Sequence, residues 1–193
     1  MEGNYQKDCI FLFDHIFTNK ECKYMINIIN KYGKVDNEVY EKERNVIADG
    51  LNMSQLPDSP EKKQIFDMVF GKILNLCKMF KDEHGIKMGG FDIPGLRKIK
   101  GPTKYHKDGA VLGKYVHEGK VDATKIRNMS IIAAFNDNYK GGELCFPEQG
   151  RTIKLKRGQV IAFPPYWTHP HYSNELKDNT FRYTLTTWTY ERL

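Results

Sequence analysis

The chain has 193 residues, of which 40% are apolar and 28% charged. That balance belongs to a soluble globular protein and excludes collagen-like and wholly disordered chains, and the length suits a single domain over 1–193. Lys and Arg number 30 against 24 Asp and Glu, a formal charge of +6 that permits an anionic partner without demanding one.

No run approaches the ~18 apolar residues of a membrane span, so no membrane association is expected. The opening residues lack the basic start and apolar core of a secretory signal. Cys9, Cys22, Cys77 and Cys145 form no C-x-x-C pair and sit in apolar contexts. They read as buried free thiols in a reducing cytosol, which makes the expected location cytoplasmic. Lysine far outnumbers arginine, as AT-rich codons would give, and this weakens any argument from charge to nucleic acid.

Residues 8–17 read as a short buried strand. Thr18 and Glu21 form a capping box, and Cys22, Met25, Ile26 and Ile29 follow at helical spacing until Gly33. Residues 34–57 are polar and show no period. Ser59-Pro60-Glu61 starts a second helix, with Ile65, Val69, Ile73, Leu76, Cys77 and Phe80 on one face and a stop before Gly85. Beyond Gly85, short β-type segments alternate with Gly and Pro. The candidates are 96–100, 104–112, 129–135, 143–146, 151–155, 159–163, 168–173 and 181–190. Residues 113–128 read as a mobile loop. Helices first and short strands afterwards predict an α+β chain: helical support over 1–90 and a jelly-roll-type β-core over 91–193.

The candidate chemistry lies in that second half. His106-Lys107-Asp108 falls in a predicted strand, where alternate side chains share a face. An imidazole and a carboxylate there, with a second imidazole from a distant strand, would form a two-His, one-carboxylate facial set. Such a set leaves three coordination positions open and suits non-haem iron(II). His169 and His171 both stand in the segment Phe163-Pro164-Pro165-Tyr166-Trp167-Thr168-His169-Pro170-His171, and alternation cannot choose between residues two apart. Arg182 stands in an otherwise apolar and Thr/Tyr-rich strand and is placed to meet an anion, with Thr184 on the same face.

Taken in order, these pieces resemble the iron(II)- and 2-oxoglutarate-dependent dioxygenases, in their prolyl 4-hydroxylase-like branch. Arg127-Asn128-Met129-Ser130 resembles the family's R-x-x-S strand and Phe135-Asn136 its L-N turn. Gly141-Gly142-Glu143-Leu144-Cys145-Phe146-Pro147 is similar to its G-G-E-L-x-F-P hairpin. Gly158-Gln159-Val160-Ile161-Ala162-Phe163-Pro164 is similar to its G-D-hydrophobic-F-P strand. The resemblance covers roughly residues 95–190. It implies a double-stranded β-helix (jelly-roll, cupin-like) core that binds iron(II), 2-oxoglutarate and dioxygen, and it leaves room for ascorbate. It also implies that His106, Asp108 and a distal histidine hold the metal. The family's spacing from that histidine to the co-substrate arginine favours His171, eleven residues before Arg182, over His169. Arg182 would hold the distal carboxylate of 2-oxoglutarate, assisted by Thr184. Relatives often carry a co-substrate tyrosine before H-x-D, and residues 97–100 here contain none. Lys98 is the candidate replacement, with Tyr139 and Tyr166 as alternatives.

The implied reaction is hydroxylation of a substrate C–H, a prolyl residue of a peptide or a small molecule, with release of succinate and CO2. The loop at 113–128 would then serve as a substrate lid. Two other readings compete. An AlkB-like nucleic-acid demethylase would place a second arginine six residues after Arg182, where this chain has Trp188. A non-catalytic jelly-roll binding module would have no need of the complete His/Asp/His/Arg set.

Overall fold

The computed structural model describes residues 8–34, 47–109, 115–117, 120–122 and 125–192. Sixteen elements of regular α and β structure follow in chain order. They begin with strand β1 (Phe11–Phe13), helix α1 (Asn19–Tyr32), β2 (Ile47–Asn52) and helix α2 (Pro60–His84). The strands then run β3 (Gly90–Phe91), β4 (Gly95–Ile99), β5 (Tyr115–His117), β6 (Lys120–Asp122) and β7 (Lys125–Ala134). The last seven are β8 (Lys140–Gly141), β9 (Leu144–Phe146), β10 (Arg151–Ile153), β11 (Val160–Phe163), β12 (Tyr172–Ser173), β13 (Leu176–Lys177) and β14 (Arg182–Arg192).

Both helices start where their sequence signals stand. The Thr18 hydroxyl accepts from the Glu21 N–H at 3.2 Å, and Glu21 accepts from the Thr18 N–H at 2.7 Å. Ser59 caps α2 with Pro60 in its first turn, and Gly85 closes it at φ 66°, a left-handed conformation that glycine takes at no steric cost. Among the described residues, no helix is long and apolar enough to cross a membrane.

The main sheet is antiparallel and has the order β1-β11-β7-β14-β4-β2, with β3 also paired to β14. Strand alternation splits its side chains between two cores. Phe11 and Phe13, Leu96, Met129, Ile131, Ala133, Val160, Ala162 and Leu185 face the helices. There they meet Cys22, Met25, Ile28 and Ile29 of α1 and Ile65, Val69, Ile73, Leu76 and Phe80 of α2. Ala134, Ile161 and Phe163 face the other way, against Leu144 and Phe146 of β9 and Ile153 of β10. Each large side chain buried in this way contributes about 1.5–3 kcal/mol relative to exposure. The second face of the sandwich is the small sheet β10-β9-β12 and the pair β13-β8. The site lies between the two sheets, which form the double-stranded β-helix.

Several expectations are corrected. The segment 8–17 yields only three strand residues, bracketed by positive φ at Cys9 and His15. Of the stretch read as irregular, residues 35–46 lie outside the described residues. Residues 47–52, however, form β2, which pairs with β4. The split at residue 90 is therefore not clean, because β1 and β2 from the helical half complete the main sheet. The strand expected over 104–112 reduces to one isolated bridge, His106 with His171, and 110–112 lie outside the described residues. Within 113–128, β5 and β6 pair as a hairpin and β7 already begins at Lys125.

Candidate active site

His106 and His171 come together through their backbones. The His106 N–H donates to the His171 carbonyl at 2.9 Å, and the His171 N–H returns a bond at 2.8 Å. The rings then lie 4.4 Å apart between centroids. Asp108 completes the cluster: its Oδ1 is 3.4 Å from His106 Nε2 and 3.9 Å from His171 Nε2. One ligand atom from each residue fits within 4.8 Å of the others.

The hydrogen bonds also set the tautomers. His106 Nδ1 lies 2.7 Å from the Lys104 carbonyl, and His171 Nδ1 lies 3.1 Å from the His169 carbonyl. A carbonyl can only accept, so both Nδ1 atoms carry a proton and both Nε2 atoms face Asp108. This is the arrangement that a metal-binding histidine requires. The His171 ring is wedged between Phe146 and Phe163. Burial holds its pKa below the ordinary histidine value, against the pull of Asp108, so the ring is neutral and ready to ligate at neutral pH. Burial pushes the Asp108 carboxyl up, but His106, His171, Ser130 and Trp188 outweigh it and bring it down to about 2. Asp108 is thus an anion across the physiological range. Two imidazoles and one anionic oxygen are a fitting donor set for iron(II).

His169 is buried but turned away. Its Nε2 donates to the Asp8 carbonyl at 2.8 Å, and its Nδ1 accepts from the Thr168 hydroxyl at 2.9 Å. With both ring nitrogens engaged, it pins the turn before His171 to the N-terminal segment.

Arg182 opens β14 and points into the barrel with Thr184. The residue is 5% exposed and its guanidinium donates to the Gly142 carbonyl at 2.6 Å, while its Nε and the Thr184 hydroxyl are buried without a hydrogen-bond partner. Burial lowers the guanidinium's pKa, against support from Tyr139 and Glu143. A buried cation that forms no ion pair among the described residues is costly unless an anion joins it. The unused donors therefore fit a bound carboxylate. The glycines of the opposing turn matter here. Gly141 and Gly142 both sit at φ 70°, and a Cβ on Gly141 would collide with the Glu175 carbonyl. Only glycine lets the turn bring its carbonyl to Arg182.

Lys98 does not join this set. In register it stands opposite Tyr183, on the helix face, whereas Arg182 and Thr184 face the barrel. Its ammonium lies 3.3 Å from Asp49 and 4.6 Å from the Phe181 ring centre. The barrel-facing residue of β4 beside Thr184 is Arg97. Of the two tyrosine alternatives, Tyr139 is buried near Arg182 and donates its hydroxyl to the Leu155 carbonyl at 3.1 Å. Tyr166 is only partly buried, with Glu191 among the charges it feels.

Sequence reasoning also left three neighbours of Asp108 without a role. Ser130 donates to Asp108 Oδ2 at 2.5 Å, and Arg127 donates to the Asp108 carbonyl at 3.3 Å. Trp188 stands opposite Ser130 on β14, under the Arg127 guanidinium at 4.1 Å. The R-x-x-S pattern marked two of them, but their partner was set by folding.

Residues 99–190 match the family described as the 2OG-Fe(II) oxygenase superfamily. No curated protein matches the sequence. Solved structures share the fold. The viral collagen prolyl hydroxylase of Paramecium Bursaria Chlorella virus-1, in its 2OG complex, aligns with TM-score 0.68 at 19% identity, over 95% of this chain and 96% of that one. A prolyl hydroxylase of Trichoplax adhaerens, in complex with a hypoxia inducible factor oxygen degradation domain peptide fragment, aligns with TM-score 0.69 at 11% identity, over 96% and 84%. A Pseudomonas putida prolyl-4-hydroxylase aligns with TM-score 0.65 at 13% identity, over 96% and 94%. Residues 99–190 are thus similar to the 2OG-Fe(II) oxygenase superfamily, and the chain shares its fold with these prolyl hydroxylases. Its chemistry is accordingly that of a 2-oxoglutarate-dependent dioxygenase, which uses iron(II), 2-oxoglutarate and dioxygen.

Proposed function

We propose that this enzyme hydroxylates a prolyl residue of a peptide. In this reading iron(II) is held by Nε2 of His106, Nε2 of His171 and a carboxylate oxygen of Asp108, and the distal carboxylate of 2-oxoglutarate is held by Arg182 and Thr184. The observation that carries it is one barrel interior containing both a His-Asp-His cluster and a buried arginine whose Nε has no partner. When bound, the metal, co-substrate and dioxygen supply the oxidising chemistry that replaces C–H by C–OH and releases succinate and CO2.

The chain's own residues bind, orient and exclude water. Phe146 and Phe163 wall His171 off from solvent on one side. On the other side the site is open: the His106 side chain is 41% exposed. Next to it in the chain Tyr105 is 57% exposed, and Trp167, in the turn before His169, is 77% exposed. An open rim with exposed aromatic rings suits a peptide better than a small molecule sealed inside. The likeness in fold to prolyl hydroxylases, one of them holding a peptide fragment, favours the same substrate class. The β5–β6 hairpin follows H-x-D directly and is read as the lid over this rim.

The test is succinate release with iron(II), 2-oxoglutarate and ascorbate, screened across proline-containing peptides, free amino acids and oligonucleotides. Stimulated release, with one oxygen gained on a proline in the peptide's mass spectrum, is expected with the peptides. Stimulation only by amino acids or oligonucleotides would sink the prolyl assignment.

A further inference from the structure

The side chains that orient Asp108 come from the sheet behind it, and one of them decides how many oxygens the carboxylate can offer. We propose that Ser130 is a positioning residue that makes Asp108 a one-oxygen ligand, an inference that rests on the iron-site reading above.

Ser130 is fully buried in the middle of the main sheet, between Phe163 of β11 and Trp188 of β14. An apolar side chain would pack there without cost, whereas a buried hydroxyl must find a partner. Its donor goes to Asp108 Oδ2 at 2.5 Å, the length of a charge-assisted O–H···O⁻ bond. Oδ1 is the oxygen left facing His106 and His171, at 3.4 and 3.9 Å. The two oxygens are thus assigned different tasks, one toward the histidines and one toward the sheet.

This division has a chemical consequence. A carboxylate free to turn can ligate through both oxygens, which would occupy one of the three positions that a facial set leaves open. Chelation by a 2-oxo acid needs two of those positions and dioxygen needs the third. The need for an anchor follows from the fold. Residues 104–109 are held by the bridge at His106 and by the Gly109 N–H on the Pro165 carbonyl at 3.0 Å, which fix the backbone on either side of Asp108 but leave its carboxylate to be oriented by side chains. Strand β7 supplies Ser130 to its carboxylate and Arg127 to its carbonyl. Arg127 is itself held by Asp92 at 2.9 Å and stacked on Trp188.

The experiment compares wild type, Ser130→Ala and Ser130→Thr. Each is titrated anaerobically with iron(II) alone. Each is then titrated with 2-oxoglutarate at saturating iron, following the visible charge-transfer band of the chelate. Metal-free melting curves check that each variant is folded. Ser130→Ala is expected to bind iron about 10- to 100-fold more weakly, the usual cost of losing a partner behind a metal ligand, and to give a weakened band. Ser130→Thr, which keeps the hydroxyl on a strand that favours β-branched residues, is expected to recover most of both. A folded Ser130→Ala with wild-type iron affinity and band overturns the proposal, as does an equal loss in Ser130→Thr. If Ser130→Ala does not fold, Ser130→Cys takes its place, with weakened iron affinity expected and wild-type affinity overturning the idea. Wild type that binds no iron at all is a separate result, and it removes the iron-site reading itself.

Discussion

Arg182 and the paired histidines show how much a single residue can be made to say. A guanidinium–carboxylate contact is worth about 1.5–3 kcal/mol beyond water. Arg182→Ala should therefore raise the apparent constant for 2-oxoglutarate on the order of 10- to 100-fold. Iron titration should stay unchanged, because Arg182 touches none of the three metal-side residues. Parallel titrations of both ligands check this, and an equal loss of iron affinity would contradict it. The histidines separate in the same way. His171→Ala removes a ring whose Nε2 faces Asp108 and should abolish iron binding. His169→Ala removes two hydrogen bonds to the Asp8 carbonyl and Thr168. It should cost about 1–2 kcal/mol of stability while iron still binds, and calorimetry of both variants with and without iron distinguishes them. Residue types and order pointed to His106, Asp108 and Arg182, spacing to Arg182 favoured His171, and the fold brings His106, Asp108 and His171 together. The helix-face position of Lys98 was not legible, because parity along β4 depends on pairing with β14, and that register is a tertiary fact. The place of Ser130 and Trp188 beside Asp108 was hidden for the same reason: they become its neighbours only once β7 and β14 align.

At the scale of elements, legibility follows how local the cause is. Both helices could be placed from their caps because Thr18, Glu21, Ser59 and Pro60 act within one turn. Ser59→Ala should accordingly cost about 1 kcal/mol of stability. Strands β4, β7, β9, β10, β11 and β14 were found within a few residues, since β-branched and aromatic runs bounded by glycine and proline mark them, whereas the two-residue strands β8 and β13 carry no such mark. β2 was missed because Ile47–Asn52 carries Ala, Asp, Gly and Asn, poor strand formers that pair only because β4 offers an edge. The segment around His106 was overread as a strand. His106 and Asp108 do converge, but through a bridge to His171 and an anchor from β7 and not through pleating. Packing between elements can be tested apart from the site. Phe80 of α2 meets Phe11 and Phe13 of β1 edge-on at 5.1 and 5.5 Å, joining helix to sheet. Phe80→Ala should cost about 3–5 kcal/mol. Denaturant unfolding measures that loss, and iron affinity in the surviving folded fraction should match wild type.

Across the whole molecule, the site depends on contacts that span nearly the full chain. The segment before β1 is tied to the far end of the barrel at Asp8. Its carboxylate meets Arg151 at 2.7 Å, and its carbonyl accepts from His169, two residues before His171. Composition could not announce this tie, because an aspartate near a chain start has no local sign of a partner 143 residues away. Burial raises the Asp8 pKa, but the hydrogen bond and charge of Arg151, with the Ile10 N–H, outweigh it and hold the group below its ordinary 3.8. A carboxyl depressed by folding stabilises the native state fully above its unfolded pKa, and that contribution is lost as pH falls through the folded value. Asp8→Asn removes the charge at every pH. The variant should therefore melt below wild type by a constant margin from neutral pH down to about pH 5, and the margin should shrink steadily on further acidification. Melting temperatures of the two proteins across that range, in the same buffer series, measure it directly. A margin that stays constant through the acid limb would show that Asp8 acts through packing and not through its ion pair with Arg151.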